Sequence, residues 1–391
     1  MNFEYLKKFH NYRHPEIFKI QKNKKNNIVC GDLIIEERSE NYSAVILLDG
    51  IGSGYKANFS AHLAGSRILE SIKSGISARQ AAANVAASMR EARTQDIPFA
   101  AFTLFYVLSS GVFTVLSYEM PPPIIIEKKT TYIPDARNFV MNKEIFTEYC
   151  GKLNKDISII FVSDGITQAG MGKTFPEGLE IERVMKCINE KINSDIALEK
   201  IPFFLAEYAK EISCGVYEDD ASVVCIKSSE GKILNIFTGP PSNKNFDSEV
   251  VNAFMKQPGF KVVCGSTTAD IIAKNTGKKI INGNFGGNFY QPPVYKITGI
   301  DFVTEGAVVL NQLNNILDAD AEVYVEDSCV SDIALLIKHS DLIIIWHGLA
   351  KNSAHENIVF RQMGILPRKI IIRQIIEKLK KMGKLAITHD I

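Results

Sequence analysis

The most constraining feature of the sequence is a series of short apolar runs joined by turns over residues 27–227. The runs FAAFTLFYVL and GVFTVLSYE, for example, are separated only by Ser-Ser-Gly at 109–111, which is a hairpin signal. Hairpins pair strands antiparallel, whereas parallel strands need a longer crossover. Two pairs of helical stretches, near 56–93 and 178–213, interrupt the runs. We therefore predict antiparallel sheets with helices packed outside them.

Aspartates stand where several of these apolar runs begin or end. The run YSAVILLDG reaches Asp49 and DISIIFVSDGI reaches Asp164, while other runs adjoin Asp32, Asp219 and Asp220. Any one of them could serve only as a turn former, because Asp and Asp-Gly pairs favour turns. If the strand ends match in space, however, the five carboxylates converge, and cations are needed to offset their repulsion and desolvation.

The chemistry of this acidic set suits hard cations. Oxygen ligands without nearby His or Cys are typical of Mg²⁺ or Mn²⁺ sites. Gly50, which follows Asp49, has no side chain, so its carbonyl could approach a metal closely. Two such ions, roughly 3.5–4 Å apart, can hold a bridging hydroxide and clamp a phosphoryl group for in-line attack. The acidic strand ends therefore predict a two-metal site for phosphoester chemistry.

Four short motifs occur in a fixed order: GD (31–32), LLDGIGSG (47–54), FVSDGI (161–166) and DDASVV (219–224). Their order, spacing and strand context resemble the metal-dependent serine/threonine protein phosphatases of type 2C, the PPM family, and most of all its bacterial SpoIIE-like branch. The resemblance covers about residues 27–227. It implies an α+β fold, a four-layer αββα sandwich of two antiparallel sheets flanked by helix pairs, with two Mn²⁺ or Mg²⁺ ions at one end.

The resemblance also implies a role for each acidic residue. Asp49 would bridge both ions, and the Gly50 carbonyl would bind one of them. Asp164 and Asp219 would ligate the other ion, and Asp32 would hold the metal-bound water. Asp32 and Asp49 are thus the expected catalytic residues, and Asp220 is expected beside the ligands rather than among them.

Two positions depart from the family pattern. Eukaryotic members follow Asp-Gly with a His that can act as general acid, but Ile51 stands here, as apolar residues do in the bacterial branch. A phosphate-binding Arg upstream of the first acid is replaced by KNKKNNIVC, in which Lys24 or Lys25 could supply a point charge. The resemblance therefore leaves the proton donor and the phosphate-binding residue unassigned.

The sequence pattern changes near residue 230, where apolar runs begin to alternate with helical stretches. This alternation is typical of an α/β domain with some parallel pairing. The helical stretches lie near 247–256, 302–317, 330–339, 353–363 and 370–382. We predict two domains, a phosphatase domain over 1–229 and an α/β domain over 232–391. By analogy with the SpoIIE-like branch, which joins its catalytic domain to sensor modules, the second domain has a regulatory or ligand-binding role.

Charge and hydropathy exclude several classes of partner. The formal net charge is +1, so no global field attracts nucleic acid or an anionic membrane. No apolar run reaches the length needed to cross a bilayer, and the N-terminal segment lacks a signal-peptide pattern. The seven cysteines include no C-x-x-C pair, which is typical of reduced thiols. We therefore predict a cytoplasmic protein.

These observations and the resemblance predict a metal-dependent phosphoserine/phosphothreonine protein phosphatase in bacterial signalling. Its partner would be a phosphorylated protein, with the anti-sigma-factor antagonists as the type of substrate that the resemblance suggests. Two alternatives stay open. The chain could be a sensor or binding protein that keeps the phosphatase domain as a scaffold, or a phosphatase of a small phosphoester.

Overall fold

The computed structural model describes residues 3–94, 99–283, 293–319, 328–350 and 364–391. The chain divides into two compact units. The sandwich unit is Arg13–Ser229, and the α/β unit combines Met1–Tyr12 with Glu230–Ile391. Across the described ranges, no helix combines the length and the apolar character that crossing a bilayer requires.

The sandwich unit contains two sheets and two pairs of long helices. Its strands are β1 (Arg13–Lys22), β2 (Asp32–Arg38), β3 (Tyr42–Gly50), β4 (Ala100–Leu108), β5 (Val112–Tyr118), β6 (Ile124–Glu127), β7 (Thr130–Tyr132), β8 (Ala136–Met141), β9 (Glu144–Lys152), β10 (Ile157–Val162) and β11 (Ala221–Glu230). Its helices are α1 (Gly54–Lys73), α2 (Ala78–Thr94), α3 (Asp164–Thr167), α4 (Glu180–Asn193) and α5 (Ile201–Ile212), with a 3₁₀ turn at Leu198–Lys200.

One sheet has the strand order β2-β3-β4-β5-β9-β8 and the other β1-β11-β10-β6-β7. Neighbouring strands are antiparallel, as in β2 with β3 and β10 with β11. Side-chain alternation along β3 produces the layers, because successive residues of a strand point to opposite faces. Ile46 and Leu48 pack against α1 and α2, whereas Val45 and Leu47 share a core with Phe161 of the other sheet. The outer face of that second sheet packs against α4 and α5, so the predicted four-layer αββα sandwich is confirmed.

One strand of this unit was not expected. The basic stretch 19–27 predicts a solvated loop, but β1 continues to Lys22 and joins the edge of the five-stranded sheet. Phe18 and Ile20 of β1 pack into the core beneath α4 and α5. Lysines can alternate with such residues on an edge strand, because their side chains reach solvent. The loop prediction is therefore wrong for residues 19–22.

The α/β unit contains one seven-stranded sheet. Its strands are β12 (Ile233–Thr238), β13 (Phe260–Cys264), β14 (Ile281–Asn282), β15 (Val294–Lys296), β16 (Phe302–Thr304), β17 (Leu342–His347) and β18 (Leu385–Asp390). Its helices are α6 (Asp247–Lys256), α7 (Ser266–Thr276), α8 (Ala307–Ile316), α9 (Cys329–His339) and α10 (Arg368–Lys381), with 3₁₀ turns at Glu4–Phe9 and Lys244–Phe246.

The sheet of the α/β unit has the order β14-β15-β16-β13-β12-β17-β18. Strands β16, β13, β12, β17 and β18 are parallel to their neighbours, while β14 and β15 are antiparallel additions. The five parallel strands, numbered in chain order, follow the sequence 3-2-1-4-5, which is a doubly wound arrangement. The parallel pairing predicted for this half is present. The helix predicted over 302–317 begins only at Ala307, because Phe302–Thr304 is β16, and the stretch 353–363 lies outside the described residues.

Helices cover both faces of this sheet. One face packs against α8, α9 and α10, and the other against α6, α7 and the N-terminal 3₁₀ turn. Leu6 and Phe9 of that turn are fully buried, and the Tyr5 hydroxyl lies 3.1 Å from Nδ1 of His389 in β18. The first twelve residues therefore pack with the α/β unit, whereas the sequence placed them in the first domain.

Candidate metal centre

Acidic residues of both sheets lie at one end of the sandwich unit, where strands begin or end. We call this end, with Asp32, Asp49, Asp164, Asp219 and Asp220, the acidic edge. Asp32 begins β2 and lies directly opposite Asp49, near the end of β3. In the other sheet, Val162 at the end of β10 is paired with Val223 in β11. Asp164 follows β10 and Asp219 precedes β11, so this edge of the second sheet also carries carboxylates. Antiparallel pairing thus places the strand ends of the sequence motifs side by side.

Asp220 holds the segment before β2 against the start of β11. One of its carboxylate oxygens accepts a hydrogen bond from the backbone N–H of Lys24 and the other from that of Gly31, both at 2.8 Å. The carboxylate is buried, so these bonds satisfy it within the protein. Asp220 therefore positions backbone around the other acids, and its place beside the metal ligands stays a prediction.

Glycines allow this close packing. A Cβ atom on Gly50 would lie 2.0 Å from the Ala57 carbonyl oxygen of α1, and one on Gly165 would lie 2.1 Å from the Asp220 carbonyl oxygen. Both distances are far shorter than any real carbon–oxygen contact. The glycines of the two Asp-Gly motifs are thus required by the packing of α1 and β11 against the strand ends.

Burial and mutual repulsion perturb the acids. Burial is the main cause that raises the pKa of Asp49 to about 9, and the charges of Asp32 and Asp164 raise it further. Burial also raises the pKa of Asp164, while a hydrogen bond with the Asp49 side chain opposes that rise. Burial therefore disfavours the ionised form of both carboxyl groups.

Asp32 is the most deeply buried of the acids, with 1% of its surface exposed. Neither of its carboxylate oxygens has a well-formed hydrogen bond to any residue of the described part of the chain. Burial raises the pKa of Asp32 to about 7, although the hydroxyls of Ser222 and Ser163 lower it and the charge of Asp220 raises it. Two buried oxygens without partners are costly, and a cation or an ordered water would satisfy them.

Lys24 brings a positive charge to this edge. Its Nζ lies 3.4 Å from a carboxylate oxygen of Asp219, and its charge lowers the pKa of Asp164. Lys25, the other basic candidate, donates its backbone N–H to Tyr217 at 2.8 Å. Ile51, at the position of the family histidine, is 47% exposed and offers no proton.

The donor set fits divalent cations in its chemistry. All side-chain donors are carboxylates, the cluster is acidic, and the buried oxygens of Asp32 lack well-formed hydrogen bonds. Among the described His, Cys, Asp and Glu residues, however, no three side chains surround one point at ligand distance. The structure therefore brings Asp32, Asp49 and Asp164 together, with Asp219 and Asp220 adjacent, but defines no ion positions.

Several polar residues at this edge were missed in the sequence. Gln168, the residue after α3, donates to a carboxylate oxygen of Asp164 at 3.1 Å, and its spacing of four residues from Asp164 was the available signal. Asn58 of α1 donates to the Cys30 carbonyl oxygen at 2.8 Å, for which the sequence gives no signal. The Ser163 hydroxyl accepts a hydrogen bond from the Ser222 backbone at 2.9 Å and thus joins β10 to β11 beside Asp32.

A cavity of about 140 Å³ adjoins Asp219. Its wall combines the apolar Met171 and Ala209 with the polar Gln168 and Glu218. It therefore offers a mixed surface directly beside the acidic edge.

Residues 39–229 match the family model described as Stage II sporulation protein E (SpoIIE). These residues form a SpoIIE-like domain. The predicted membership of the SpoIIE-like branch of type 2C phosphatases is thereby confirmed for this part of the chain. It makes the SpoIIE-like domain a member of a serine/threonine phosphatase family of bacterial signalling.

Several solved structures are similar to the chain. The phosphatase domain with a regulatory-domain fragment of the cell fate determinant SpoIIE from Bacillus subtilis is 19% identical, with a TM-score of 0.47, over 56% of this chain and 65% of that chain. The RsbU and RsbW domains of a Mycobacterium tuberculosis protein are 13% identical, with a TM-score of 0.46, over 63% and 68%. A serine/threonine phosphatase of S. agalactiae is 11% identical, with a TM-score of 0.41, over 55% and 99%. No curated protein sequence matches the chain.

Proposed function

We propose that the SpoIIE-like domain is a divalent-metal-dependent phosphatase of phosphoserine and phosphothreonine in proteins. Asp49, Asp164, Asp219 and the Gly50 carbonyl would hold two Mn²⁺ or Mg²⁺ ions. When bound, the two ions supply an activated water for in-line attack on phosphorus and neutralise the phosphoryl oxygens. The membership of the phosphatase family and the donor set support this proposal.

The residues of the chain then have distinct tasks. Asp49, opposite Asp32 at the sheet edge, would be a ligand of the ions, and Asp32 would orient the attacking water through its buried carboxylate. Gln168 orients Asp164 through its hydrogen bond. Lys24 brings a positive charge to the rim, where it attracts a phosphate. Asp220 takes no part in the reaction and keeps the segment that carries Lys24 in position.

The observation that carries the proposal is the buried, mutually repelling set of carboxylates, of which Asp49 has a pKa of about 9. A fold that places such groups together without cations loses stability, because each ionised carboxylate is desolvated. Perturbed acids of this kind cluster at functional sites. A purely structural role would not need them, since apolar residues could fill the same strand ends.

The test is hydrolysis of p-nitrophenyl phosphate and of a phosphoserine peptide by the full chain with Mn²⁺. We expect turnover that requires the metal, and a loss of turnover of roughly 100-fold or more in Asp49→Asn. Removing a residue that only supports a metal ligand can reduce activity up to roughly 100-fold, so removing a ligand should reduce activity at least as much. The matched control is Asp156→Asn, the same change at an exposed carboxylate in the loop before β10. It should leave turnover unchanged.

Other outcomes favour the alternatives. Turnover of small phosphoesters but of no phosphoprotein would assign the domain to small-molecule chemistry. Absence of turnover with every divalent metal, in a chain that melts cooperatively, would contradict the proposal and favour a scaffold or sensor role. Equal activity of Asp49→Asn and the wild type would also contradict it.

A further inference from the structure

The α/β unit has its own candidate ligand site, which is independent of the proposed phosphatase function. Its parallel strand order reverses between β12 and β17, where the chain leaves β12 toward one face of the sheet and β17 toward the other. In doubly wound sheets, ligands bind outside the carboxyl ends of the strands at such a point. The strands end there at Thr238 and His347, which are neighbours in the parallel register.

Thr238 and His347 point to the same face. Ile236 and Ile345, two residues earlier in each strand, pack in the core with α10, and strand alternation places Thr238 and His347 on that side. Thr238 is 1% exposed, and its hydroxyl has no hydrogen-bond partner among the residues that the structure describes. A buried hydroxyl without a partner is destabilising, so its presence at a strand end calls for an explanation.

Arg368, the first residue of α10, lies against the same strand ends. Its Nη1 donates to the Gly348 carbonyl oxygen at 2.9 Å. A Cβ atom on Gly239, the residue after β12, would lie 1.4 Å from that same Nη1. The guanidinium therefore occupies the space that any side chain at position 239 would take, directly beyond Thr238.

Within the part of the chain that the structure describes, Arg368 has no ion-pair partner. Burial lowers the pKa of its guanidinium. The first turn of α10 contains no acidic residue, so the positive end of the helix is also uncompensated. A half-buried cation of this kind is costly without an anion. An oxyanion at this position would remove that cost and bind at the helix N-terminus.

His347 completes the polar lining of the site. It is 6% exposed, and its Nδ1 lies 3.0 Å from a carboxylate oxygen of Asp390 in β18. This contact fixes the plane of the ring, which leaves Nε2 for another partner. The Asp390 side chain is itself 60% exposed, so its charge is largely solvated rather than directed at Arg368.

We propose that the α/β unit binds a phosphate-bearing small molecule at the carboxyl ends of β12 and β17. The Arg368 fork binds two phosphate oxygens, the Thr238 hydroxyl donates to a third, and His347 contacts the same group. Phosphate has the three oxygens that this arrangement of donors can satisfy together, and Arg binds it in a bidentate manner. The phosphate group is common to a nucleotide and to free phosphate, and the titration below distinguishes these two ligands.

The experiment is calorimetric titration of the full chain in EDTA, so that the acidic edge of the sandwich unit carries no cation and repels anions. The probes are inorganic phosphate, AMP and, as a dicarboxylate, succinate. We expect one molecule of AMP or phosphate per chain, with affinity reduced roughly tenfold or more in Arg368→Gln. Arg373→Gln is the matched control, because Arg373 is on the same helix but its side chain is 83% exposed. The Arg373→Gln variant should bind AMP and phosphate with the same affinity as the wild type.

Thr238→Val protects the test against a variant that fails to fold. It removes only the partnerless hydroxyl, so the melting temperature should not fall, whereas phosphate affinity should fall several-fold, by roughly the value of one hydrogen bond. Tighter binding of AMP than of phosphate would identify a nucleotide, and equal binding would identify the phosphate group alone. The proposal is wrong if neither probe binds at about 20 mM, a range that covers even a weak single-anion site. It is equally wrong if both variants bind as the wild type does, or if succinate binds as tightly as phosphate.

Discussion

At the scale of single residues, the acidic edge of the SpoIIE-like domain is a balance between burial and charge. Asp32, Asp49 and Asp164 could be singled out in the sequence because each adjoins an apolar run. It could not show that Asp32 would be almost fully enclosed with both oxygens partnerless, since enclosure depends on how two sheets meet. The roles of these residues as ligands stay predictions.

The raised pKa values predict how the stability of the metal-free protein depends on pH. Asp32 and Asp49 ionise near 3.8 when unfolded but near about 7 and about 9 when folded, so the folded state retains protons that the unfolded state loses. Their contribution to stability is complete below pH 3.8 and declines as the pH rises through about 7 and about 9. Without metal, the sandwich unit should therefore melt at a lower temperature at about pH 8.5 than at about pH 6.

Bound Mn²⁺ should reverse this trend, because cations compensate ionised carboxylates and compete with protons. The rise in melting temperature on adding Mn²⁺ should be larger at the higher pH. Thermal melts at both pH values, with EDTA or with Mn²⁺, measure this rise in melting temperature. The Asp156→Asn variant should show the same rise as the wild type. A melting temperature in EDTA that rises between the two pH values would contradict the assignment of the buried acids.

At the scale of secondary-structure elements, the central strands of the sandwich follow from apolar runs that are visible in the sequence, whereas its edge strands do not. Val45, Ile46 and Leu47 are all apolar, so β3 is recognisable as a strand that is buried on both faces. Strand β1 escaped prediction because an edge strand tolerates lysines, and only the pairing partner shows which side is covered. Similarly, β16 is three residues long and directly precedes a helix, so its apolar residues were assigned to that helix.

The Asp220 contact between the segment before β2 and β11 gives a prediction at this scale. Asp220→Ala leaves the backbone N–H groups of Lys24 and Gly31 without their acceptor. Relief of repulsion on Asp32 offsets part of the loss, so we expect the free energy of unfolding of the sandwich unit to fall by about 2 kcal/mol. Denaturant unfolding followed by circular dichroism measures this change.

The control for this prediction is Asp156→Ala. Asp156 is exposed in the loop before β10 and does not have a left-handed backbone conformation. Exposed substitutions of this kind usually change the free energy of unfolding by about 0.5 kcal/mol or less. If Asp220→Ala destabilised the unit no more than this control does, the two hydrogen bonds would not hold the segment in place.

At the scale of the whole molecule, the α/β unit is built from two separate parts of the chain, and the sandwich unit lies between them in the sequence. The doubly wound sheet could be anticipated only as an alternation of strands and helices, because no local pattern states that β12 lies between β13 and β17. The packing of Met1–Tyr12 in the α/β unit could not be predicted from the sequence either, since a short apolar segment can pack against the core of any domain. Packing between segments far apart in the sequence determines both the strand order and the position of Met1–Tyr12.

Leu6→Ala tests that assignment. Leu6 is fully buried in the core of the α/β unit, so its truncation should lower the free energy of unfolding of that unit by about 2–4 kcal/mol. The metal-dependent shift in the melting of the sandwich unit should be unchanged. Leu108→Ala, a 42% exposed leucine of the sandwich unit, is the control of equal chemistry. A Leu6→Ala chain in which only the sandwich unit is destabilised would contradict the division.

The contact between Tyr5 and His389 has a consequence for biosynthesis. Tyr5 finds its neighbour in β18, which is synthesised 384 residues later in the chain. The sandwich unit lies between these two segments and can complete its core first, because domains generally fold as they emerge from the ribosome. The α/β unit can close only once β18 has also been synthesised, so this unit is the one that we expect to depend on chaperones.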